Sequence, residues 1–277
     1  MDKKIDEAEF IIFDTETTGL NPEAGDRIVE LAAIRWRAGK EIAQFETFID
    51  PKRPIQDAAF EVNRITPQML QNAPEAKDVM PRFLAFIQDA CICSYNAAFD
   101  LGFINSELKR LGLVLPKESM VVDILRMARR LLPGLERYAL WFVAEKMGAT
   151  HMQEHRALSD VKLTLEVFEK FLVRLKPKGV LDTLHLVSLF GVNSELWEEV
   201  NGQKIAKIQE AIDLGLAIRI QYLSNAMVAL SERQVVPKEV TRDKGRAYLI
   251  GHCCLRNEER TFRVDNIISL EIVKAGK

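Results

Sequence analysis

Phe13-Asp14-Thr15-Glu16-Thr17-Thr18-Gly19-Leu20 is the stretch on which the reading of this chain turns. Ahead of it, Glu9-Phe10-Ile11-Ile12 is rich in Ile and Phe and carries a strand into Asp14. Behind it, Thr17-Thr18-Gly19-Leu20-Asn21-Pro22 is turn chemistry. Residues two apart in a strand face the same side, so Asp14 and Glu16 point into one spot. Two carboxylates that close repel and raise each other's pKa unless a cation holds them, and oxygen ligands suit a hard divalent ion. A strand-end Asp-x-Glu pair that merely faces solvent is the commoner arrangement, so the pair needs company before it means anything.

Working outward, residues 27–35 and 40–49 read as two more strands, which makes a three-strand meander. Residues 79–88 are helical, with Pro81 tolerated in the first turn, and Cys91-Ile92-Cys93-Ser94-Tyr95 is a buried strand. Helices are expected over 98–111, 121–132 and 136–147. Val161, Leu165, Phe168 and Leu172 then share one face of a last amphipathic helix. Strands followed by alternating helices and strands imply an α/β fold, a mixed sheet flanked by helices. Lys176-Pro177-Lys178-Gly179 is the linker candidate. Helical patterns over 180–200 and 204–214 follow, and the period then shortens to two over 217–222, 246–254 and 261–270. The expected organisation is a first domain over 1–175, a linker and helix over 176–203, and a small β-rich module over 204–277.

The 277 residues, 48% hydrophobic and 28% charged, suit one medium domain with a smaller companion and exclude disordered or fibrous classes. No apolar run spans a bilayer, and the first seven residues lack the apolar stretch of a signal peptide. Cys91/Cys93 and Cys253/Cys254 lack zinc-type spacing and sit among apolar residues. Buried free thiols in a reducing cytoplasm are expected. A net charge of −2 makes no global case for binding a polyanion. The distribution is more telling, because residues 1–175 net −4 and residues 204–277 net +4. Divalent metal can offset the carboxylates of the first domain, and the basic tail can attract phosphate.

The first stretch, with Asp26-Arg27-Ile28-Val29-Glu30-Leu31 behind it, resembles the first motif of the DEDDh 3′→5′ exonucleases. That family includes RNase T and the proofreading subunit of the bacterial replicative polymerase. Tyr95-Asn96-Ala97-Ala98-Phe99-Asp100 is similar to its second motif, and His155-Arg156-Ala157-Leu158-Ser159-Asp160 to its third. The three stand in the family's order across residues 9–175, which is far more specific than any one of them. The resemblance implies an RNase H-like exonuclease domain. It also implies two ions, Mg²⁺ or Mn²⁺, held by Asp14, Glu16, Asp100 and Asp160, with Asp14 bridging and Asp100 supporting the second ion directly or through waters. His155 would take the proton of the attacking water, a task suited to an imidazole. Thr17, Thr18, Gly19 and Leu20 would line the pocket of the terminal nucleotide. Asn96 and Phe99 would border it, chiefly positioning Asp100 and packing. Asp123 is expected as a support or a helix cap. Two positions depart from the family: Tyr95 replaces the usual His, and Asn63-Arg64-Ile65 stands where His-Gly-Ile is common. Both touch how a nucleotide is held, so substrate preference does not carry over.

Arg219-Ile220-Gln221-Tyr222, Pro237, Tyr248-Leu249-Ile250-Gly251 and the run Arg260-Thr261-Phe262-Arg263-Val264-Asp265-Asn266-Ile267 resemble a WYL domain, a small SH3-like module. The name-giving Trp is Ala247, and the usual closing Arg is Asn266. Arg219, Tyr222, Arg260 and Arg263 are the candidates for phosphate or base contacts. Leu186-Val187-Ser188-Leu189-Phe190 is similar to a sliding-clamp docking peptide without its leading Gln, and core packing is the favoured reading. The expected substrate is the 3′ end of single-stranded DNA or RNA, with DNA slightly favoured. The alternatives are an RNA-trimming exoribonuclease or a non-catalytic, ligand-sensing nucleic-acid-binding regulator.

Overall fold

Alternation along β1 (Phe10–Thr17) sorts the two faces of the central sheet. Phe10 and Ile12 enter one buried cluster, while Ile11 and Phe13 enter the cluster on the opposite face. The computed structural model describes residues 3–192, 195–224, 230–243 and 245–273. β1 pairs antiparallel with β2 (Ile28–Arg37), which pairs antiparallel with β3 (Lys40–Phe48). On its other side β1 lies parallel to β4 (Cys91–Ser94), and β4 lies parallel to β5 (Val121–Asp123). The order β3-β2-β1-β4-β5 makes the expected mixed sheet. α1 (Asp57–Asn63), α2 (Ala76–Ile87) and α3 (Ala97–Arg110) come before β5, and α4 (Ile124–Leu131), α5 (Leu140–Lys146) and α6 (Ala157–Leu175) follow it. Buried residues of α2 and α3 cover the Ile11/Phe13 face, and those of α4, α5 and α6 cover the Phe10/Ile12 face. On that second face, Phe168 of α6 meets the Phe10 ring at a centroid distance of 5.1 Å.

The helix expected over 121–132 is a short strand followed by a helix. Val121 and Val122 are β-branched and fully buried beside β4, and Asp123 ends the strand by capping α4 through Leu125 and Arg126 N–H. The helix expected over 136–147 begins only at Leu140, because Tyr138 turns aside to donate its hydroxyl to the Leu132 carbonyl. The linker Lys176-Pro177-Lys178 forms a 3₁₀ turn closed by Gly179 at φ 76°. Beyond it the chain is laced back to its start, with Ile5 N–H donating to Leu181 O at 2.8 Å and Thr183 N–H to Lys3 O at 3.0 Å.

The pattern over 180–200 breaks at Gly191 into α7 (Thr183–Phe190) and α8 (Glu195–Asp213). α8 is continuous past position 204, so the second helix expected there is the end of the first. α8 packs Ile208 and Ala211 against an antiparallel sheet of order β10-β6-β7-β8-β9. Its strands are β6 (Ala217–Leu223), β7 (Leu230–Asp243), β8 (Arg246–Cys253), β9 (Glu258–Arg263) and β10 (Ile267–Val273). The strand expected over 261–270 is two strands, separated by a 3₁₀ turn at Val264–Asn266. β7 carries no clean alternation because Pro237 sits in its middle. The ladder shifts register between Pro237 and Glu239, which accommodates a residue that cannot donate a hydrogen bond. Gly251 pairs with Pro237, and a Cβ there would lie 2.5 Å from Val236 O.

The two halves share apolar packing. Leu223 and Ile268 of the C-terminal sheet belong to the same buried cluster as α6 and α7. Leu186, Val187 and Phe190 are fully buried in it, with Ser188 and Leu189 nearly so. A docking peptide must be free to leave its own core, so the burial supports the favoured packing reading and not the clamp contact. Cys91, Cys93 and Cys253 are buried thiols as expected, but Cys254, just past the end of β8, is exposed. Among the described residues no helix is long and apolar enough to cross a membrane.

Candidate active site

Period two carries the Phe10/Ile12 face of β1 on to Asp14 and Glu16, so both carboxylates emerge on the side covered by α6. Asp160, in the first turn of α6, meets them there. One ligand oxygen from each of Asp14, Glu16 and Asp160 lies within 4.8 Å of the other two. Thr15, between the two acids, points to the opposite face and engages Asp100 of α3. Its N–H and hydroxyl donate to Asp100 Oδ1 at 3.1 and 2.7 Å, and Ser94 donates to Oδ2 at 2.6 Å. Asp100 therefore stands behind the cluster with both oxygens engaged, and an ionised carboxylate retains acceptor capacity beyond three such bonds.

The electrostatics follow from that crowding. Burial pushes the Asp14 pKa well above the carboxylate range, and the charges of Asp100, Glu16, Asp160 and Glu30 add to it. Burial, then Asp160, Glu30 and Asp100, raise Glu16 to about 8 against a weaker opposing hydrogen bond from Asn63. Asp100 rises to about 6 through burial, held back by its bonds from Ser94 and Thr15. Asp160 is raised by burial against the bonds from Gln153 and Glu154. No lysine or arginine is ion-paired with Asp14, Glu16, Asp100 or Asp160 among the described residues, although such pairs occur elsewhere. A cluster of hard oxygen donors that destabilise one another's charge fits a divalent cation.

His155 borders the same open cleft as Asp14 and Asp160, and its volume is about 490 Å³. Its backbone is held at φ 53°, an αL conformation uncommon for any residue but Gly. The flanking residues enforce it. Glu154 N–H donates to Asp160 Oδ1 at 3.3 Å, and Arg156 makes a two-armed bond to the buried Glu30 at 3.1 and 2.7 Å. Further up the loop, Thr150 and His151 converge on Glu166 of α6. Burial alone would raise the Glu166 pKa, but the hydrogen bonds from His151 and Thr150 prevail and bring it down to about 2.

The other expected positions divide. Thr17 and Thr18 are buried, and their hydroxyls serve the loop itself, donating to Gly19 O at 2.6 Å and Asp26 Oδ1 at 3.2 Å. Gly19 packs so close to Asp26 and Gln56 that a Cβ would collide with both, while Leu20 is 81% exposed beside it. Asn96 caps α3 in the αL conformation and borders the cleft, and Phe99 packs on Phe103 at 5.0 Å. Asp123 caps α4 and also accepts from Asn96 N–H at 3.2 Å. Asn63 donates to Thr17 O at 3.3 Å, and Arg64 takes an αL conformation at φ 55°, where a glycine would sit without strain. The Tyr95 hydroxyl donates to Tyr138 O at 2.7 Å and so tethers the loop before α5.

Arg129, Tyr138, Trp141 and Gln153 also border the cleft, and none stood out in the sequence. Gln153 alone had a signal, since it precedes the third motif by two residues, and it donates to Asp160 Oδ2 at 2.8 Å. In the C-terminal module, Tyr222 Oη accepts from Arg263 N–H and Asn266 Nδ2, each at 3.3 Å. Arg263 pairs with Asp265 through both arms. Arg219 faces Glu232 and Glu271, and Arg260 faces Glu258, so the fold does not bring these two to Tyr222.

A mixed sheet carrying this carboxylate set at the ends of β1 and α6 defines the class, and comparison with known proteins agrees. The family model described as Exonuclease matches residues 11–168, more than half of the chain, and the chain belongs to that family. A WYL domain model matches residues 203–272. A DNA polymerase III PolC-type protein of Caldanaerobacter subterraneus subsp. tengcongensis is 33% identical over 267 residues. That similarity covers 94% of this chain and 18% of the relative, so the chain spans under a fifth of that protein's length. The PolC-type protein of Staphylococcus epidermidis is 30% identical over 258 residues, with 93% and 18% coverage. The nuclease domain of 3′hExo, described as a DEDDh family member bound to rAMP, superposes with a TM-score of 0.51 at 17% identity. It covers 62% of this chain and 92% of that one, and shows the shared fold.

Proposed function

We propose that this chain is a metal-dependent 3′→5′ exonuclease that releases nucleoside monophosphates from the 3′ ends of single-stranded nucleic acid, DNA in preference to RNA. The observation that carries the reading is the convergence of Asp14, Glu16 and Asp160 within 4.8 Å beside His155 in an open cleft. Asp14, Glu16 and Asp160 would hold Mg²⁺ or Mn²⁺ directly, and Asp100 would support a second ion through waters. When bound, two such ions offset the charge that grows on the phosphate and on the departing 3′-oxygen. The chain's own groups do the rest. His155 accepts the proton of a water that attacks phosphorus, and the bond from phosphorus to the 3′-oxygen of the preceding nucleotide breaks. Glu30, through Arg156, and Asp160, through Glu154, hold the imidazole segment in place. The Thr17–Gly19 loop, rigid through its internal bonds, gives a terminal nucleotide a firm wall. A single-stranded end is favoured because a terminal base must leave its partner to enter such a cleft. DNA is favoured because the relatives covering nearly all of this chain are DNA polymerases.

The test uses 5′-labelled DNA and RNA strands with Mg²⁺, Mn²⁺ or EDTA, for wild type and Asp160→Ala. The expected result is a ladder shortening from the 3′ end, faster on DNA, and lost with EDTA and in the variant. Tight binding without cleavage under either metal would sink the assignment in favour of a ligand-sensing regulator.

A further inference from the structure

α4 has two charged neighbourhoods. Leu125 and Arg129, one turn apart, border the carboxylate cleft. Arg126 and Arg130, rotated by one residue, face the C-terminal module. Arg130 donates to Leu223 O on β6 at 2.9 Å and to Leu189 O on α7 at 3.3 Å, while its buried Nε has no partner among the described residues. Arg126 donates to Gly191 O with one arm, lies 3.9 Å from Asp123 Oδ2 with its Nε, and keeps half of its side chain exposed. Beyond it lies a groove of about 320 Å³ between α8 and the β7–β8 hairpin. Arg242, Arg246 and Asp265 border that groove, and Ala247 leaves room in it.

Two arginines and two acids line the groove, and their pairing is incomplete. Asp265 is taken up by Arg263, and neither Arg242 nor Arg246 has an ion-pair partner among the described residues. Glu198 is the remaining acid on the groove wall, and Asp243 stands opposite Arg246 in the hairpin without pairing to it. Lys204 of α8, half-buried, donates to Ser188 Oγ and to Ile267 O. Burial lowers the Arg126 pKa; Asp123 and Asp265 oppose this, while Arg246 and Arg263 add to the lowering. Burial likewise brings Arg130 down to about 10. Arginines that lack an ion-pair partner are free to take a phosphate as counter-charge.

Arg126 and Arg129 are three residues apart on one helix and so neighbours on its surface, one toward the groove and the other toward the cleft. We propose that the strand on the 5′ side of the scissile nucleotide runs from the cleft across α4 toward the groove between α8 and the β7–β8 hairpin, its phosphates held in turn by Arg129, Arg126 and Arg246. This rests on the exonuclease reading for the placement of the 3′ end. The accessory module is then a grip on the substrate, and cleavage should depend on strand length. Guanidinium groups suit phosphate contacts that carry no base preference.

Two readouts separate this idea from the nuclease assignment. Binding of a 5′-fluorescein strand of about 20 nucleotides is followed by anisotropy in EDTA, where nothing is cut. Hydrolysis of the p-nitrophenyl ester of thymidine 5′-monophosphate with Mn²⁺ reads the carboxylate site alone. Arg126→Glu and Arg246→Glu should each weaken strand binding by about tenfold and flatten its salt dependence. Both should leave ester hydrolysis within about twofold of wild type, which also shows that they fold. Lys40→Glu, at the start of β3 and remote from Asp14, should leave both strand binding and ester hydrolysis unchanged. Unchanged strand binding in both arginine variants would overturn the path, as would an equal loss in Lys40→Glu. If the ester is not hydrolysed while the arginine variants still lose the strand, the grip stands and the nuclease assignment falls.

Discussion

On one side of α4, buried carboxylates crowd together, and their neighbours' charges add to the burial that raises Asp14 and Glu16; on the other, arginines gather, and burial brings Arg126 and Arg130 down. The chain's net charge of −2 hides both. The two regions differ in how rigidly they are built. Asp14, Glu16, Asp100 and Asp160 sit on strand and helix positions, with Thr15, Ser94 and Gln153 holding two of them by hydrogen bonds. The arginines stand on one short helix and one hairpin end, tied mainly to main-chain carbonyls. An acid cluster set this firmly suits a small hard cation with strict demands on geometry. A looser basic groove suits a flexible polyanion, whose phosphates adjust to it.

Four experiments would break or sharpen this contrast, the largest effect first. Asp14→Ala removes the acid nearest the centre of the cluster and should lower metal-dependent hydrolysis by at least ~10³-fold, read as kcat on the thymidine ester. It should leave strand binding in EDTA nearly unchanged. Equal loss of both would mean the two regions are one site. His155→Ala should lower kcat by about 10²–10⁴-fold while the rise in melting temperature on adding Mn²⁺ persists, since it removes a proton acceptor and spares the ligands. A variant that loses the metal-induced rise would place His155 among the ligands instead.

Phe190→Ala tests the packing that joins the halves. Its ring is fully buried and is covered by the Arg130 guanidinium 5.5 Å from its centroid. Truncation should cost about 3–5 kcal/mol in urea unfolding. A loss under ~1 kcal/mol would mean that α7 is not part of a shared core. The smallest effect expected is a pH dependence. Glu16 has a folded pKa of about 8 against an ordinary value of 4.5, so the folded state binds more protons than the unfolded one between those limits. Stability of the metal-free protein should therefore be greatest near pH 5 and decline as pH rises toward 8. Glu16→Gln should flatten that decline, and saturating Mg²⁺ should do the same by substituting for the protons. A metal-free melting temperature that rises with pH over this range would contradict the carboxylate geometry.

The exonuclease half was legible because its signals are local. Period two fixed the face shared by Asp14 and Glu16, and the stop chemistry after Gly19 fixed where the strand ends. Three short motifs then marked Asp100, His155 and Asp160. Elements failed where local preference met a tertiary demand. Val121-Val122-Asp123 reads as the start of a helix until β4 offers it an edge. β7 shows no strand pattern in sequence, because Pro237 and its charges mask a strand that a bulge and Gly251 make possible. Leu186-Val187-Ser188-Leu189-Phe190 looks the same in sequence whether it docks on a partner or fills a core, and only burial distinguishes the two.

What the sequence determined by itself was the set of groups available for chemistry: carboxylates at strand and helix spacing, an imidazole five residues before the last of them, and a basic C-terminal module. Tertiary structure alone decided which charges meet. Arg126, Arg129 and Arg130 form an ordinary basic run on a helix until the fold turns Arg129 toward the cleft and Arg126 toward Arg246, more than a hundred residues away in the chain. Coulombic coupling depends on distance in space and on burial, and neither can be read from the order of residues.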